Sequence, residues 1–335
     1  RINSDASGVL NLTGGVVTAA NNNAFGSGTV TLYNPVKRLV LTNGVTISNP
    51  IIFNGGGESS RGIFENSTTG GNATLAGPIT ISGSLAGGGH FASASGGTLT
   101  ISGSITSTST SPVVRAGVVI FNGVGTASNY ATFNAAAGVT RLGASDALLP
   151  TATLDLGNSG DSRFDLNGFN QTLAGITRSG NSTFIGNASL TGNSTLTTTG
   201  TSTYSGSILN VLSPGTQKTF LVVNSGSLTL TGAFSAETAT INNTGTLNIN
   251  VSAGDGFAPA ARLITVNNGG TLMFGGANKV QNDTVIDVKS GGIFDQNGQT
   301  DVVGYLSGGG SITNLNSSLS LALPAVGSPA EFSGT

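Results

Sequence analysis

Cysteine and tryptophan are absent from this 335-residue chain, and it holds one methionine and one histidine. Without cysteine, neither disulfides nor thiolate metal sites can hold it together. Charge is scarce too. Lys and Arg number 12, Asp and Glu 14, and charged residues make up 8% of the chain, against roughly 25% in an ordinary globular protein. No basic run exceeds the pair Lys37–Arg38. Nucleic acid is therefore not an expected partner, because phosphate recognition needs a dense Lys/Arg footprint. No apolar run approaches 18 residues, so this segment is not expected to insert into a membrane as a helix. A hydrophobic leader is not visible either, and the chain opens on Arg1 rather than Met, so residue 1 is not expected to be the start of translation.

What the chain has in abundance is glycine, 53 residues of it, with Ser, Thr and Asn supplying most of the polarity. Low-complexity Gly/Ser tracts often stay disordered. Here, however, 37% of residues are hydrophobic and they alternate with polar ones. Short runs such as "GVLNLTG" (8–14), "GTVTLYN" (28–34), "GTLTISG" (97–103), "GSLTLTG" (226–232), "GTLNINV" (245–251) and "GTLMFGG" (270–276) repeat one scheme. Period-2 alternation bounded by Gly and Asn reads as strands with one buried face, joined by tight turns. No stretch carries helical periodicity. Strands so short and so frequent suit a solenoid better than a sandwich. The expected architecture is an all-β parallel β-helix of about 15 short coils, at roughly 22 residues per coil, continuous from residue 1 to 335. Identical positions stack about 4.8 Å apart in such a fold, which disfavours charge and explains its scarcity. Phe25, Phe53, Phe64, Phe91, Phe121, Phe133, Phe164 and Phe184 read as interior ladder residues.

One internal echo is more specific. "FDLNGFNQTLAGI" at 164–176 returns as "FDQNGQTDVVGYL" at 294–306, sharing Phe164, Asp165, Asn167 and Gly168 with Phe294, Asp295, Asn297 and Gly298. With "SGGTLTISG", "NATLAGPITISGSLAGGG" and "TSTYSG", this text resembles the autotransporter-associated β-strand repeats of bacterial surface-protein passengers. The resemblance implies a right-handed β-helix, export to the cell surface or extracellular space, and a stalk, filament or adhesin role without a catalytic residue. No C-terminal membrane barrel of that family's kind is visible in this segment.

Chemistry-bearing residues are few. His90, in "GGGHF", reads as a surface loop or turn residue, since a lone histidine makes neither a histidine-rich metal site nor, unaided, a triad. The acidic residues group as Asp155, Asp161 and Asp165 around Arg163, and as Asp283, Asp287, Asp295 and Asp301. Asp before Asn-Gly is ordinary turn chemistry, so the structural reading comes first. A calcium site and a sugar-cleaving carboxylate pair are the alternatives. No cofactor is expected. Glycine triplets at 55–57, 87–89 and 308–310 lack the Lys and Ser/Thr of a phosphate loop and read as turns.

The ends carry the last signal. Residues 1–13 and 319–335 both read as repeat, with no polar cap between them and the boundary. In "AEFSGT", Ala330, Phe332 and Gly334 alternate with Glu331, Ser333 and Thr335 as at the start of a strand. Placed before residue 1, this gives "EFSGTRINSDASGVLNLTG", which resembles one intact unit of the same repeat. Val9, Leu10, Leu12, Phe332 and Gly334 are thus candidate residues of a junction between copies. The expected partner is the chain itself, head to tail, either as stacked subunits or as one period of a longer array. Surface glycans or other cells are secondary candidates. The other functions weighed are a passenger adhesin acting as single rods and a polysaccharide-binding or polysaccharide-degrading β-helix.

Overall fold

The computed structural model describes all residues except 1, 5–9, 14, 34–35, 55–61, 83–88, 108–109, 124, 126–127, 252–262, 316–318 and 323–331. Among the described residues the regular elements are strands and none is a helix. The strands pair in parallel and stack as a β-solenoid of about 12 turns. The shortfall from about 15 has a local cause. Ile51, Ile79 and Ile105 are successive partners in one column, so these turns take 28 and 26 residues rather than about 22. The chain divides into two compact units, the first holding Arg1–Asp165 and Ser179–Thr183, the second Leu166–Arg178 and Phe184–Thr335.

In the first unit the chain visits three sheets in rotation. One sheet stacks Leu10–Leu12, Val30–Tyr33, Ile51–Asn54, Ile79–Ile81 and Ile105–Ser107. The next begins with Gly15–Ala19 and Val36–Leu41 and runs on to Thr153–Leu156. The third runs from Thr46–Ile47 through Asn72–Leu75 and Thr98–Ile101 to Ser162–Asp165. Alternation dictates which side chains enter the interior. In Thr98–Ile101, Leu99 and Ile101 are buried and the threonines face out. Because parallel register puts like positions above one another, the buried residues form columns: Ala73–Leu99–Val119 and Leu75–Ile101–Phe121–Leu142. Phe64 stacks on Phe91 at 5.7 Å, and Phe121 meets Phe133 edge-on at 4.9 Å. Both distances lie in the favourable range for aromatic pairs.

The second unit uses longer strands. Thr219–Leu230 and Thr238–Ile249 each serve two columns, with a register shift between Val223 and Ser225 that turns the corner. Their first halves pair onward to Leu263–Val266, Val285–Val288 and Tyr305–Ser307. Their second halves continue into Thr271–Phe274, Ile293–Asp295 and Ser311–Thr313. The column Leu228–Leu247–Leu272–Phe294 is buried throughout.

Seven of the eight phenylalanines expected inside are buried, and Phe184 is not. In Thr183–Gly186 it is Thr183 and Ile185 that point inward, so alternation turns Phe184 toward the surface. The echoed motif behaves as its spelling implies. Asn167 and Asn297 adopt φ of 50° and 51°, followed by Gly168 and Gly298 at positive φ. Asn and Gly are the residues that enter this left-handed region at least cost.

Candidate functional site

The candidate junction residues fall in both units, one set next to a sheet edge and the other at one. In the first unit, Leu10–Leu12 pairs in parallel with Val30–Leu32 on one side. On its other side lies Ile2–Ser4, running antiparallel, with Ile2 opposite Leu12 and Ser4 opposite Leu10. This pair is antiparallel where the neighbouring pairs of the sheet are parallel, and it differs from the expectation that residues 1–13 simply continue the repeat. Leu12 is fully buried in its column, Leu10 contributes backbone pairing, and Val9 lies outside the described residues.

A second segment covers the neighbouring edge. Thr46 opens the first strand of the third sheet, and its N–H donates to Asn22 Oδ1 at 2.8 Å. Asn49 Nδ2 donates to the carbonyls of Gly26 and Gly28, at 3.1 and 2.6 Å, tying the 21–28 loop down. Phe25 is buried beneath that loop. A polar cleft of about 350 Å³ remains, lined by Asn22, Asn23, Ser27, Thr46, Ser48 and Asn49. Gly15–Ala19 of the second sheet pairs on one side only among the described residues, and Val16 beside that edge is 49% exposed. Unpaired edges invite strand addition, and a short crossing strand or an overlying loop is the usual protection.

In the second unit, Phe332–Thr335 adds a further parallel rung. Phe332 bridges Gly308, Ser333 N–H donates to Gly308 O at 2.9 Å, and Thr335 N–H donates to Gly310 O at 3.2 Å. Ile312 N–H donates back to Thr335 O at 2.7 Å. Phe332 and Gly334 are half-buried while Ser333 and Thr335 are exposed, so the alternation read in "FSGT" holds. Gly334 is set against Gly310 O and the Phe332 ring so closely that a Cβ has no room. Glycine is required here by close approach.

The carboxylates do not converge on a common site. Asp165 pairs with Arg141, Nε to Oδ2 2.7 Å, rather than with Arg163. Asp155 accepts the Ser179 hydroxyl and Asp161 the Ser182 N–H. Asp295 Oδ1 accepts the Asn297 N–H at 2.7 Å and the Asn314 side chain at 2.9 Å, which is turn chemistry. Asp287 pairs with Lys289 at 2.6 Å. Asp301 is buried, accepting the N–H groups of Lys279, Val280 and Val302, and burial pushes its pKa up. Asp283 lines a polar cleft with Gln281, Asn282 and Ala322. No three His, Cys, Asp or Glu side chains among the described residues come together as a metal cluster.

His90 corrects the expectation of a surface residue. It is fully buried in Gly89–Ser93, edge-on to Phe53 at 5.8 Å. Its Nδ1 accepts the Val113 N–H at 3.2 Å, while Nε2 has no partner. Desolvation pulls its pKa down to about 3, so the ring is neutral at pH 7. His90, Phe91 and Ala92 are buried in succession, and the extra residue at the register shift, Arg115, belongs to the neighbouring strand, since Phe91 and Ala92 pair with Val114 and Ala116. Of the glycine triplets expected as turns, Gly308 instead bridges Phe332 and Gly309 is a bend, Gly89 begins this strand, and 55–57 and 87–88 lie outside the described residues.

Two asparagines missed in the sequence organise corners of the fold. Asn66 and Asn187 are both fully buried. Asn66 Oδ1 accepts the N–H two residues on, from Thr68, and its Nδ2 donates to Gly71 O and to Thr98 O in the next turn. Asn187 does likewise with Ser189, Gly192 and Lys218, and also accepts the Gly168 N–H at 2.9 Å. The signal was present as "NSTTGG" and "NASLTG", an Asn with Gly five residues later. Comparison with protein-family models, curated proteins and solved structures finds no match for this chain.

Proposed function

We propose that this chain is a non-enzymatic structural unit of a bacterial surface filament or stalk, built by head-to-tail continuation of parallel β-solenoid turns outside the cell. The observation that carries the reading is the rung Phe332–Thr335. It extends the parallel register by one step, leaves Phe332 half-buried, and pairs with residues 308–312 on one side only among the described residues. Such an edge takes a further parallel strand, from a second copy or from a following unit of the same kind in one polypeptide. Carboxylates engaged in turns and ion pairs, and columns of buried aliphatic and aromatic side chains, suit a mechanical role. Load along the axis is then borne by many parallel hydrogen bonds. The resemblance to autotransporter-associated repeats points to the same extracellular setting.

A second reading has its own observation. The antiparallel strand Ile2–Ser4 and the Asn22-anchored loop cover two edges of the first unit, which favours a passenger acting as single rods. Sedimentation velocity over a concentration series separates the two. Self-association that strengthens with concentration and is lost in Gly334→Val supports the filament. Unchanged monomers up to high concentration support single rods and overturn the filament.

A further inference from the structure

We infer that Asn210 and Lys218 join covalently: the lysine amine displaces ammonia from the asparagine side chain, with Glu237 carrying the protons, and an amide bond closes the loop between Ser207–Leu209 and Thr219–Leu230. The step happens once per chain and does not depend on whether copies assemble.

Three strands of the second unit bring the groups together. Asn210 follows Ser207–Leu209, Lys218 precedes Thr219–Leu230, and Glu237 precedes Thr238–Ile249. Thr219, fully buried, is the hub. Its N–H donates to Asn210 Oδ1 at 3.1 Å, its hydroxyl donates to Asn210 O at 2.9 Å, and its carbonyl accepts the Glu237 N–H at 2.8 Å. Held in this way, Asn210 turns its Nδ2 to Glu237 Oε2, and the same oxygen lies 3.3 Å from Lys218 Nζ. One carboxylate oxygen therefore contacts both the nucleophile and the group that must leave. Side-chain exposure is 18% at Glu237 and 38% at Lys218, so the carboxylate is the better shielded of the two. Among the described residues, the Lys289–Asp287 pair carries no asparagine amide. Arg38–Glu65 and Arg141–Asp165 offer guanidinium groups, which stay charged and do not attack.

Each role in an acyl transfer has its group here. Glu237 takes a proton from the Lys218 ammonium, and the freed Nζ attacks Asn210 Cγ. The electron pair displaced onto Oδ1 is met by the Thr219 N–H, as in an oxyanion hole. Glu237 then passes its proton to Nδ2 and takes the second from Nζ, acting as base and acid in turn. The Cγ–Nδ2 bond breaks as Oδ1 recovers its double bond. Ammonia takes the last proton from Glu237 and leaves as ammonium. The carboxylate is restored, and nothing is oxidised or reduced. Between free molecules this exchange is slow. Fixing both partners on one oxygen makes it intramolecular, which raises the effective concentration of the amine by several orders of magnitude.

Mass spectrometry of the purified full chain, intact and after trypsin, tests the bond. The inference predicts a protein lighter than its sequence by one ammonia. Trypsin should fail to cut after Lys218, so that residues 179–262 emerge as one peptide lacking that ammonia. Lys218→Arg keeps a positive charge beside Glu237, and Glu237→Gln keeps the side-chain shape. Both should show their full mass while matching wild type in circular dichroism. Wild type at full mass after prolonged incubation makes the cluster an ordinary ion pair and overturns the inference. Ammonia loss confined to other peptides, as succinimide formation at Asn167–Gly168 or Asn297–Gly298 would give, overturns it as well. A bond formed as fully in Glu237→Gln as in wild type overturns the role of Glu237.

Discussion

Gln296→Leu should stabilise the second unit. Gln296 follows Phe294-Asp295 in the echoed motif, where Leu166 stands in the first occurrence. The two positions share a backbone. Each carbonyl accepts an N–H three residues on, from Phe169 and from Gln299, both at 2.9 Å. The next residue in each case is an asparagine at positive φ, and both side chains are fully buried. Leu166 meets this enclosure with an apolar side chain. Gln296 brings an amide whose Nε2 and Oε1 have no partner. A buried polar group left unmet costs about 1–3 kcal/mol, and leucine of similar volume removes that cost while keeping the contacts. A gain of about 2 kcal/mol follows, which for a unit of this size raises Tm by roughly 4–8 °C. The reverse change, Leu166→Gln, should lose a similar amount. Calorimetry and urea unfolding monitored by circular dichroism read both. If Gln296→Leu leaves Tm unchanged or lowers it, the amide is satisfied in solution and the equivalence of the two turns is refuted.

Three further outcomes follow from individual contacts. His90 has its folded pKa below its unfolded one, so the unfolded chain binds a proton first as pH falls below about 6.5. Its contribution to stability is therefore complete above that pH and declines by about 1.4 kcal/mol per pH unit toward pH 3. His90→Phe should flatten that decline, and urea midpoints of both proteins at pH 7 and pH 5 should converge on a difference of about 2 kcal/mol; parallel pH profiles would contradict it. Asn187→Ala strands two N–H groups and two carbonyls, as Asn66→Ala strands a similar set, and each should cost about 2–4 kcal/mol in chemical denaturation. Phe91→Ala removes a ring that touches both Phe64 and Phe121 and should cost about 3–5 kcal/mol by the same assay.

The strands and the Asn-Gly turns were legible because both rest on local rules: side chains alternate along a strand, and few residues tolerate positive φ. "GTLTISG" and "FDLNG" state those rules directly. What escaped depends on departures from them or on distant partners. His90 sits beside a glycine run that reads as a loop, yet the strand Gly89–Ser93 begins inside that run and its stacking between neighbouring turns buries the ring. Phe184 is hydrophobic enough to be placed inside, but its register is set by Thr183 and Ile185. Ile2–Ser4 alternates like any repeat strand, and nothing in its spelling distinguishes antiparallel from parallel pairing. Asn66 and Asn187 reach carbonyls 32 and 31 residues away, contacts that only stacked turns create. The alternation at Phe332–Thr335 was readable because it is again local, whereas the need for glycine at 334 comes from the approach of Gly310 O in the turn before.

Cryo-electron microscopy of the purified chain, without ligand, at concentrations that favour assembly, tests the filament most directly. The account predicts unbranched filaments with a 4.7–4.9 Å strand spacing that runs unbroken through the junction between copies, and their absence in Gly334→Val. Separate particles at every concentration, or filaments whose strand spacing is interrupted at each junction, would contradict it.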